Sequence, residues 1–241
     1  MNDDGDSSDA ASSNSATPTA TPTTSPSRAT PTATSTPTAS DTATAPAVPD
    51  APTGQANAAG CAQETPTSSA MSFPSPPMTI DPSGSYTMTL KTNCGTVAFK
   101  LDAAKAPTTV NSFAFLSSKG YFDHSPCHRL TTEGIYVLQC GDPTGTGSGG
   151  PGYQFSDENL AGATYPKGTL AMANAGPGTN GSQFFIVWND TQLPPNYTPF
   201  GTVTDGMDVV RRIADAGVEG GATDGTPKAG VVVDTMTVAK Q

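Results

Sequence analysis

The most constraining feature of the sequence is a break in composition near residue 72. No Phe, Trp or Tyr occurs before Phe73, and 51 of the first 70 residues are Ala, Thr, Ser or Pro. Such a segment cannot bury enough apolar surface to offset the entropy lost on ordering it. We therefore predict a disordered tail over residues 1–72 and one folded domain over residues 73–241, with its core at about 84–240.

The tail and the charge balance limit the classes of partner. Thr-Pro and Ala-Thr units recur between Ala16 and Pro52, which is typical of an extended spacer or stalk. Beyond residue 70 the chain has 14 acidic and 10 basic residues, so it lacks the basic surface of a nucleic-acid-binding protein. No apolar run is long enough to span a membrane. We expect no nucleic-acid partner, and membrane attachment only through a segment outside this sequence.

Past Phe73 the pattern becomes that of short strands. Polar and apolar residues alternate over 86–91 and again over 97–101, and Asn93-Cys94-Gly95 between them is a turn sequence, which predicts a β-hairpin. Helical spacing follows Pro107 and ends at Gly120. Further strands are predicted at 127–131, 136–140, 169–174, 183–188, 199–204 and 230–239, with a second helix at Met207–Ala214. This mainly β pattern predicts a closed or nearly closed antiparallel barrel capped by helices.

The four cysteines allow three complete pairings. On a hairpin formed by 127–131 and 136–140, alternation puts Cys127 on the face of Arg129 and Gln139 and puts Cys140 on the opposite face. This argues against a bond between Cys127 and Cys140. Cys61 and Cys94 are the better candidates for a bond, which requires the end of the tail to fold back onto the first hairpin, and the complete pairing stays open.

Conventional catalytic and metal-binding motifs are incomplete. No Cys-x-x-Cys occurs, and the two histidines fit no zinc motif. Cys127 and His128 are neighbours on a predicted strand and cannot form a dyad. The glycine-rich run 141–152 lacks the ending of a P-loop, and the adjacent Asp157 and Glu158 are more typical of a solvated turn. Arg129 shares a predicted face with Val137 and Gln139, and the residues alone leave it as either a site or a snorkelling surface side chain.

Seven ordered motifs resemble the signature blocks of the cyclophilins, the cyclosporin-binding type of peptidyl-prolyl cis-trans isomerase. They are Cys127-His128-Arg129-Leu130, Gln139-Cys140-Gly141-Asp142, Gly147-Ser148-Gly149-Gly150, Phe155-Ser156-Asp157-Glu158-Asn159, Met172-Ala173-Asn174-Ala175-Gly176-Pro177, Asn180-Gly181-Ser182-Gln183-Phe184-Phe185-Ile186 and Phe200-Gly201-Thr202-Val203. The resemblance spans roughly residues 84–240. It implies a closed eight-stranded antiparallel β-barrel with two capping helices, preceded by the disordered tail.

The resemblance also implies an activity, its partners and a location. A chain of this family would rotate X–Pro bonds in proline-containing polypeptides and so assist protein folding, without a metal or cofactor. The chain is similar to bacterial membrane-anchored cyclophilins, so we expect an extracytoplasmic location, either secreted or at the cell surface.

The resemblance assigns roles to individual residues. The implied catalytic residues are Arg129, as the catalytic arginine, Phe185, as the floor of the proline pocket, and Gln139. The implied substrate-binding residues are Tyr136, Val137 and Leu193 in the apolar wall, Ala173, Asn174 and Gln183 along the groove, Gly147 at its rim, and Gln192 and Tyr197.

Three departures from the family pattern matter. The chain between Arg129 and Gln139 is two residues longer than usual, at Glu133-Gly134. Gln192 stands in the place of the tryptophan associated with tight cyclosporin binding, so we expect weak binding of that inhibitor. Tyr197 replaces a groove histidine.

The implied reaction needs only non-covalent help. Twisting the amide pyramidalises the proline nitrogen, and a guanidinium aimed at that nitrogen favours the twisted state over the planar one. Two alternatives remain: a cyclophilin-like module that binds proline segments, or acts as a chaperone, with little turnover, and a functional tail that serves as a surface adhesive or glycan carrier.

Overall fold

Ten antiparallel strands and two helices form the part of the chain that the computed structural model describes, residues 57–241. The strands are β1 (Tyr86–Thr92), β2 (Gly95–Leu101), β3 (Ser125–Pro126), β4 (Arg129–Thr131), β5 (Val137–Cys140), β6 (Thr169–Met172), β7 (Phe184–Val187), β8 (Pro199–Asp205), β9 (Asp224–Gly225) and β10 (Val232–Lys240), and the helices are α1 (Pro107–Ser118) and α2 (Met207–Ala216). Residues 1–56 of the predicted tail lie outside the described residues. None of the helices within 57–241 has the length and apolar character needed to cross a bilayer.

The first two strands form the predicted hairpin. Tyr86 lies opposite Leu101, and the tight turn closes between Thr92 and Gly95. Alternate side chains of both strands are buried, including those of Met88 and Phe99, while the residues between them face outward. The alternation in the sequence therefore matches one buried face of the hairpin.

A single curled sheet contains all ten strands, in the order β3-β10-β1-β2-β8-β6-β7-β5-β4-β9. Within the segment 125–131, β3 pairs with β10 at one end of the sheet order and β4 pairs with β5 near the other end. The segment therefore connects the two ends of the curled sheet. The predicted mainly β, antiparallel, two-helix architecture is confirmed. The strand count differs from eight because β3 and β9, with two residues each, are separate short strands.

Both helices pack their apolar residues against this sheet. Pro107 begins α1, and the Glu158 carboxylate accepts hydrogen bonds from the backbone N–H groups of Thr108 and Thr109, at 2.9 and 2.8 Å. These two N–H groups have no partner within the helix, so Glu158 satisfies them. Inside, the Phe113 ring lies 4.7 Å from that of Phe200 in the main core.

Residues 57–82, here called the N-terminal strap, run over the barrel without a helix or strand. The predicted Cys61–Cys94 disulfide is present. The side chain of Asn57 donates to the carbonyl of Ala229 at 2.6 Å, and the Ser68 hydroxyl donates to that of Pro143 at 2.7 Å. Contact with the barrel thus begins well before the boundary predicted at 72/73, because a disulfide and hydrogen bonds hold residues 57–72 where apolar burial alone would not.

The second disulfide corrects the pairing expected from strand alternation. Cys127 and Cys140 are bonded, whereas alternation placed their side chains on opposite faces. The predicted strand 127–131 is interrupted, since Cys127 and His128 lie between β3 and β4 and belong to neither. Outside a regular strand the period of two no longer applies, so Cys127 turns toward Cys140.

Candidate active site

Arg129, Gln139, Phe185 and Ala171 form one row across four neighbouring strands. Arg129 lies directly opposite Gln139, Gln139 opposite Phe185, and Phe185 opposite Ala171. Directly paired residues of antiparallel strands share a face, and strands lie about 4.8 Å apart. The backbones of Arg129 and Phe185 are therefore about 10 Å apart, with both side chains on the same face of the sheet.

The guanidinium of Arg129 is held on two sides. Its Nε and Nη2 donate to the two carboxylate oxygens of Asp224 at 2.7 Å each, and its Nη1 donates to Gln139 Oε1 at 3.2 Å. Hydrogen bonding to Asp224 raises the pKa of Arg129 above its ordinary value, and the same bonds lower the pKa of Asp224. Arg129 is still 37 % exposed, so its remaining N–H groups can reach a bound molecule.

Two glutamines continue this hydrogen-bond chain along the groove. Gln139 Nε2 donates to Gln183 Oε1 at 2.9 Å, and Gln183 Nε2 donates to the carbonyls of Gly147 and Gly149 at 3.0 and 2.9 Å. Arg129 is thereby linked through two amides to the predicted rim at Gly147.

The rim loop is shaped by a buried carboxylate, that of Asp142. It accepts hydrogen bonds from the backbone N–H groups of Thr144, Gly147 and Gly149, at 2.8, 2.7 and 3.0 Å. Burial alone would raise the pKa of Asp142, but these bonds and that from the Thr144 hydroxyl outweigh it and lower the pKa. A Cβ at Gly149 would collide with this carboxylate, so the glycine is required by the close approach.

Phe185 is the centre of a small apolar cluster that is separate from the main core. The buried members are Val137, Tyr165, Ala171, Phe185 and Val187, and Ile135, Ala163, Ala173, Leu193 and Tyr197 pack around them. The Tyr197 ring stands edge-on to Phe185 at 5.6 Å. This cluster gives the groove an apolar floor beside the polar row.

The structure places Tyr136 away from that floor. Its ring packs against Trp188 at 5.0 Å and belongs with the main core, although the sequence analysis put it in the pocket wall with Val137. Tyr136 and Val137 are consecutive, and consecutive side chains at a strand point to opposite faces. Gln192 is exposed, next to Leu193 at the edge of the cluster.

An open cavity of about 770 Å³ adjoins the row on the side of the rim loop. It is lined by Gln139, Gly147–Gln154, Ala173–Ala175, Thr179 and Gly181–Gln183. The side chain of Asn174 donates to the carbonyl of Asn196 at 2.8 Å, which fixes this wall. The predicted residues Gln139, Gly147, Ala173, Asn174 and Gln183 thus lie together.

Other candidate groups have structural roles. Glu158 caps α1, and Asp157 accepts from the Gly178 N–H and the Asn180 side chain at 2.8 Å each. Burial lowers the pKa of His128, favouring its neutral form. Within residues 57–241 no three His, Cys, Asp or Glu side chains are grouped to hold a metal.

Asp224 is the site residue that sequence analysis missed. It lies in the two-residue strand β9, within a Gly-rich stretch where Asp-Gly is typical of a turn. The pairing of β9 with β4, Leu130 with Gly225 and Thr131 with Asp224, brings it to Arg129.

The curled antiparallel sheet with two packed helices, carrying an arginine beside an apolar cluster on one face, defines the class of fold and site. The family model described as cyclophilin type peptidyl-prolyl cis-trans isomerase matches residues 87–238, and the chain belongs to this family.

Relatives and solved structures agree with this membership. The chain is 45 % identical over 177 residues to a probable peptidyl-prolyl cis-trans isomerase B of Mycobacterium leprae, covering 68 % of this chain and 58 % of the relative. It is 47 % identical over 163 residues to one of Mycobacterium tuberculosis, covering 62 % and 53 %.

A crystal structure of a cyclophilin type peptidyl-prolyl cis-trans isomerase of Cryptosporidium parvum superposes with a TM-score of 0.57 at 28 % identity, covering 65 % of this chain and 99 % of that one. A second structure of that protein, obtained in the presence of the dipeptide Ala-Pro, gives the same TM-score at 29 % identity, covering 64 % and 99 %. The chain spans a little over half the length of the two mycobacterial relatives.

Proposed function

We propose that this chain is a peptidyl-prolyl cis-trans isomerase that rotates X–Pro bonds in polypeptides by non-covalent means and so assists folding. The observation that carries the proposal is the row in which Arg129 and Phe185 flank Gln139 on one face of the sheet. A pyrrolidine ring on the Phe185 cluster would bring the proline nitrogen within reach of the guanidinium.

The chemistry asked of this row is modest. Rotation about an amide has a barrier of about 18–20 kcal/mol because resonance is lost in the twisted state. In that state the proline nitrogen regains a lone pair, which accepts a hydrogen bond from Arg129. The planar amide offers no such acceptor, so the interaction lowers the barrier selectively. Gln139 and Gln183 present polar groups to the neighbouring peptide units.

The test compares wild type with Arg129→Ala in the isomerisation of a chromogenic X–Pro peptide. We expect kcat/KM to fall about 100-fold, as when one transition-state donor is removed. The matched control is Arg211→Ala, which removes an exposed arginine of α2 whose partner is Asp215, at 2.9 Å. Wild-type activity in Arg129→Ala would refute the mechanism.

A binding or chaperone module with little turnover is the second candidate. The Tyr197 ring packs edge-on against Phe185 at 5.6 Å and adds to the apolar surface on which a proline segment could be held, which supports binding. Calorimetry with the same peptide separates the two functions, since binding without rate enhancement by wild type would establish this one and refute the enzyme.

We also propose an extracytoplasmic location. The two disulfides support it, because such bonds persist in oxidising compartments and are rare in the cytosol. Alkylation of the protein in intact source cells, before any reduction, tests the proposal. We expect none of the four cysteines to be alkylated, together with accessibility to external protease; alkylated cysteines would contradict the proposal.

A further inference from the structure

Asp224 forms the most direct contact with Arg129 of any side chain in residues 57–241. The two carboxylate oxygens accept from Nε and Nη2 of the guanidinium, each at 2.7 Å. This is the bidentate arrangement in which an arginine–carboxylate pair fixes orientation as well as position.

The backbone around Asp224 is itself anchored. Thr131 of β4 lies opposite Asp224, and the N–H of Thr132 donates to the carbonyl of Thr223 at 2.8 Å. On the other side, the N–H of Glu219 donates to the carbonyl of Thr226 at 2.9 Å. The carboxylate is therefore presented from a fixed strand pair and not from a freely moving loop.

Two N–H groups of the Arg129 guanidinium remain free of these contacts. A guanidinium has five N–H donors. Asp224 takes two of them and Gln139 takes one, which leaves one on Nη1 and one on Nη2. Both remaining donors lie on terminal nitrogens, away from the Nε edge that faces Asp224.

We propose that Asp224 is a positioning residue for X–Pro isomerisation, holding the guanidinium so that its free N–H groups stay over the groove. The inference rests on the proposed function of Arg129. Without the carboxylate, the long arginine side chain would sample several rotamers, and only a fraction of the molecules would present a donor to the twisted amide. Binding of the proline ring by the Phe185 cluster would be unaffected, so the loss falls on kcat and not on KM.

The experiment is a double-mutant cycle on the full chain with a chromogenic X–Pro peptide. The variants are Asp224→Asn, Asp224→Ala, Arg129→Ala and the combination of Asp224→Ala with Arg129→Ala. We expect each Asp224 variant to lower kcat about 10-fold, with KM within about 2-fold of wild type. The loss is smaller than the roughly 100-fold cost of a fully misplaced catalytic group because Gln139 still holds Nη1 of Arg129. In the Arg129→Ala background, Asp224→Ala should cause no further loss.

Two controls separate positioning from folding. Asp208→Ala breaks an exposed aspartate–arginine pair on α2, with Arg212 at 2.6 Å, and should leave kcat unchanged. Asp224→Asn preserves size and backbone, so its far-ultraviolet circular dichroism should match that of wild type. Asp224→Glu, which retains a carboxylate, should recover part of the lost rate.

The outcomes are distinguishable. Wild-type kcat in Asp224→Ala, or an equal loss in both Arg129 backgrounds, would overturn the inference while leaving the proposed function intact. An inactive wild type, or an Arg129→Ala variant as fast as wild type, would overturn the proposed function and this inference with it. Loss of kcat only where Arg129 is present supports the inference.

Discussion

Cys127 and Cys140 are joined by a disulfide that closes the hairpin on which Arg129 and Gln139 lie opposite each other. The bond spans 13 residues of sequence, including the enlarged turn at Glu133-Gly134. The bond therefore limits the separation of these two segments in the unfolded chain. In the folded protein it limits how far β4 and β5 can move apart at the site.

Replacing both cysteines with alanine, Cys127→Ala with Cys140→Ala, should lower the free energy of unfolding by about 3 kcal/mol, the chain-entropy value for a loop of this size. It should also lower kcat several-fold, because β4 carries Arg129. Urea unfolding and the peptide assay measure the two effects.

The matched control removes the other disulfide, Cys61→Ala with Cys94→Ala, which ties the N-terminal strap to the β1–β2 turn and contacts none of the row. Its sequence separation of 33 predicts a stability loss of about 4 kcal/mol. We expect kcat to remain that of wild type. Equal kcat losses in both double variants would show that general stability, and not the Arg129 hairpin, controls the rate.

Tyr121 makes the stability of the folded domain depend on pH in the alkaline range. Its buried hydroxyl contacts Ser182 Oγ at 3.0 Å, and burial raises its pKa from 10.0 to about 12. A raised pKa means that the folded state favours the protonated phenol. The contribution of this phenol to the free energy of unfolding is therefore complete below pH 10 and is lost as the pH rises toward 12.

Tyr121→Phe should cost about 1 kcal/mol at pH 8, since one hydrogen bond is lost. The variant should then lose less stability than wild type between pH 8 and pH 11, as measured by urea unfolding at both values. Tyr153 and Tyr165, whose pKa values burial also raises, contribute to both proteins. An unchanged pH dependence in Tyr121→Phe would rule out this assignment.

Phe73 anchors the strap where it passes the rim of the groove. Its ring meets those of Phe115 and Tyr121 edge-on, at 5.5 and 6.3 Å, and its N–H donates to the carbonyl of Pro151 at 2.8 Å. Phe73→Ala should lower the free energy of unfolding by about 2–3 kcal/mol, less than in a full core because the ring is partly buried.

On the same strap, Met78 is 51 % exposed, and Met78→Ala should change stability by no more than about 0.5 kcal/mol. Similar urea midpoints for both variants would count against an anchoring role.

The alternation of side chains along a strand predicts which face a residue lies on only where the strand is regular. Arg129 and Gln139 could be placed on one face because β4 and β5 pair there as regular strands. The same rule failed for Cys127, which lies just outside β4, where side-chain direction follows the local bend of the chain. The role of Phe185 came from family resemblance, since its strand is buried on both faces and has no alternation to interpret.

Long-range contacts of irregular segments were beyond sequence reasoning. Asp224 lies 95 residues from Arg129, in a strand of two residues that no periodicity can identify. The strap largely shares the composition of residues 1–56, and Cys61, Met71, Phe73, Met78 and Ile80 distinguish it. In both cases a few specific contacts, and not a periodic pattern of apolar residues, determine where the segment lies.

Gln192 offers a test of inhibitor recognition. It is exposed and precedes Leu193, which packs at the edge of the Phe185 cluster. A tryptophan there would extend the apolar wall and supply an N–H donor, so Gln192→Trp should tighten cyclosporin binding about 10-fold, the gain expected from a large aromatic anchor at an interface. Calorimetric titration of cyclosporin into both proteins measures the change. The control is Gln63→Trp, at another exposed glutamine, on the strap, which should leave the affinity unaltered. Equal affinities for wild type and Gln192→Trp would mean that another feature of the groove limits cyclosporin binding.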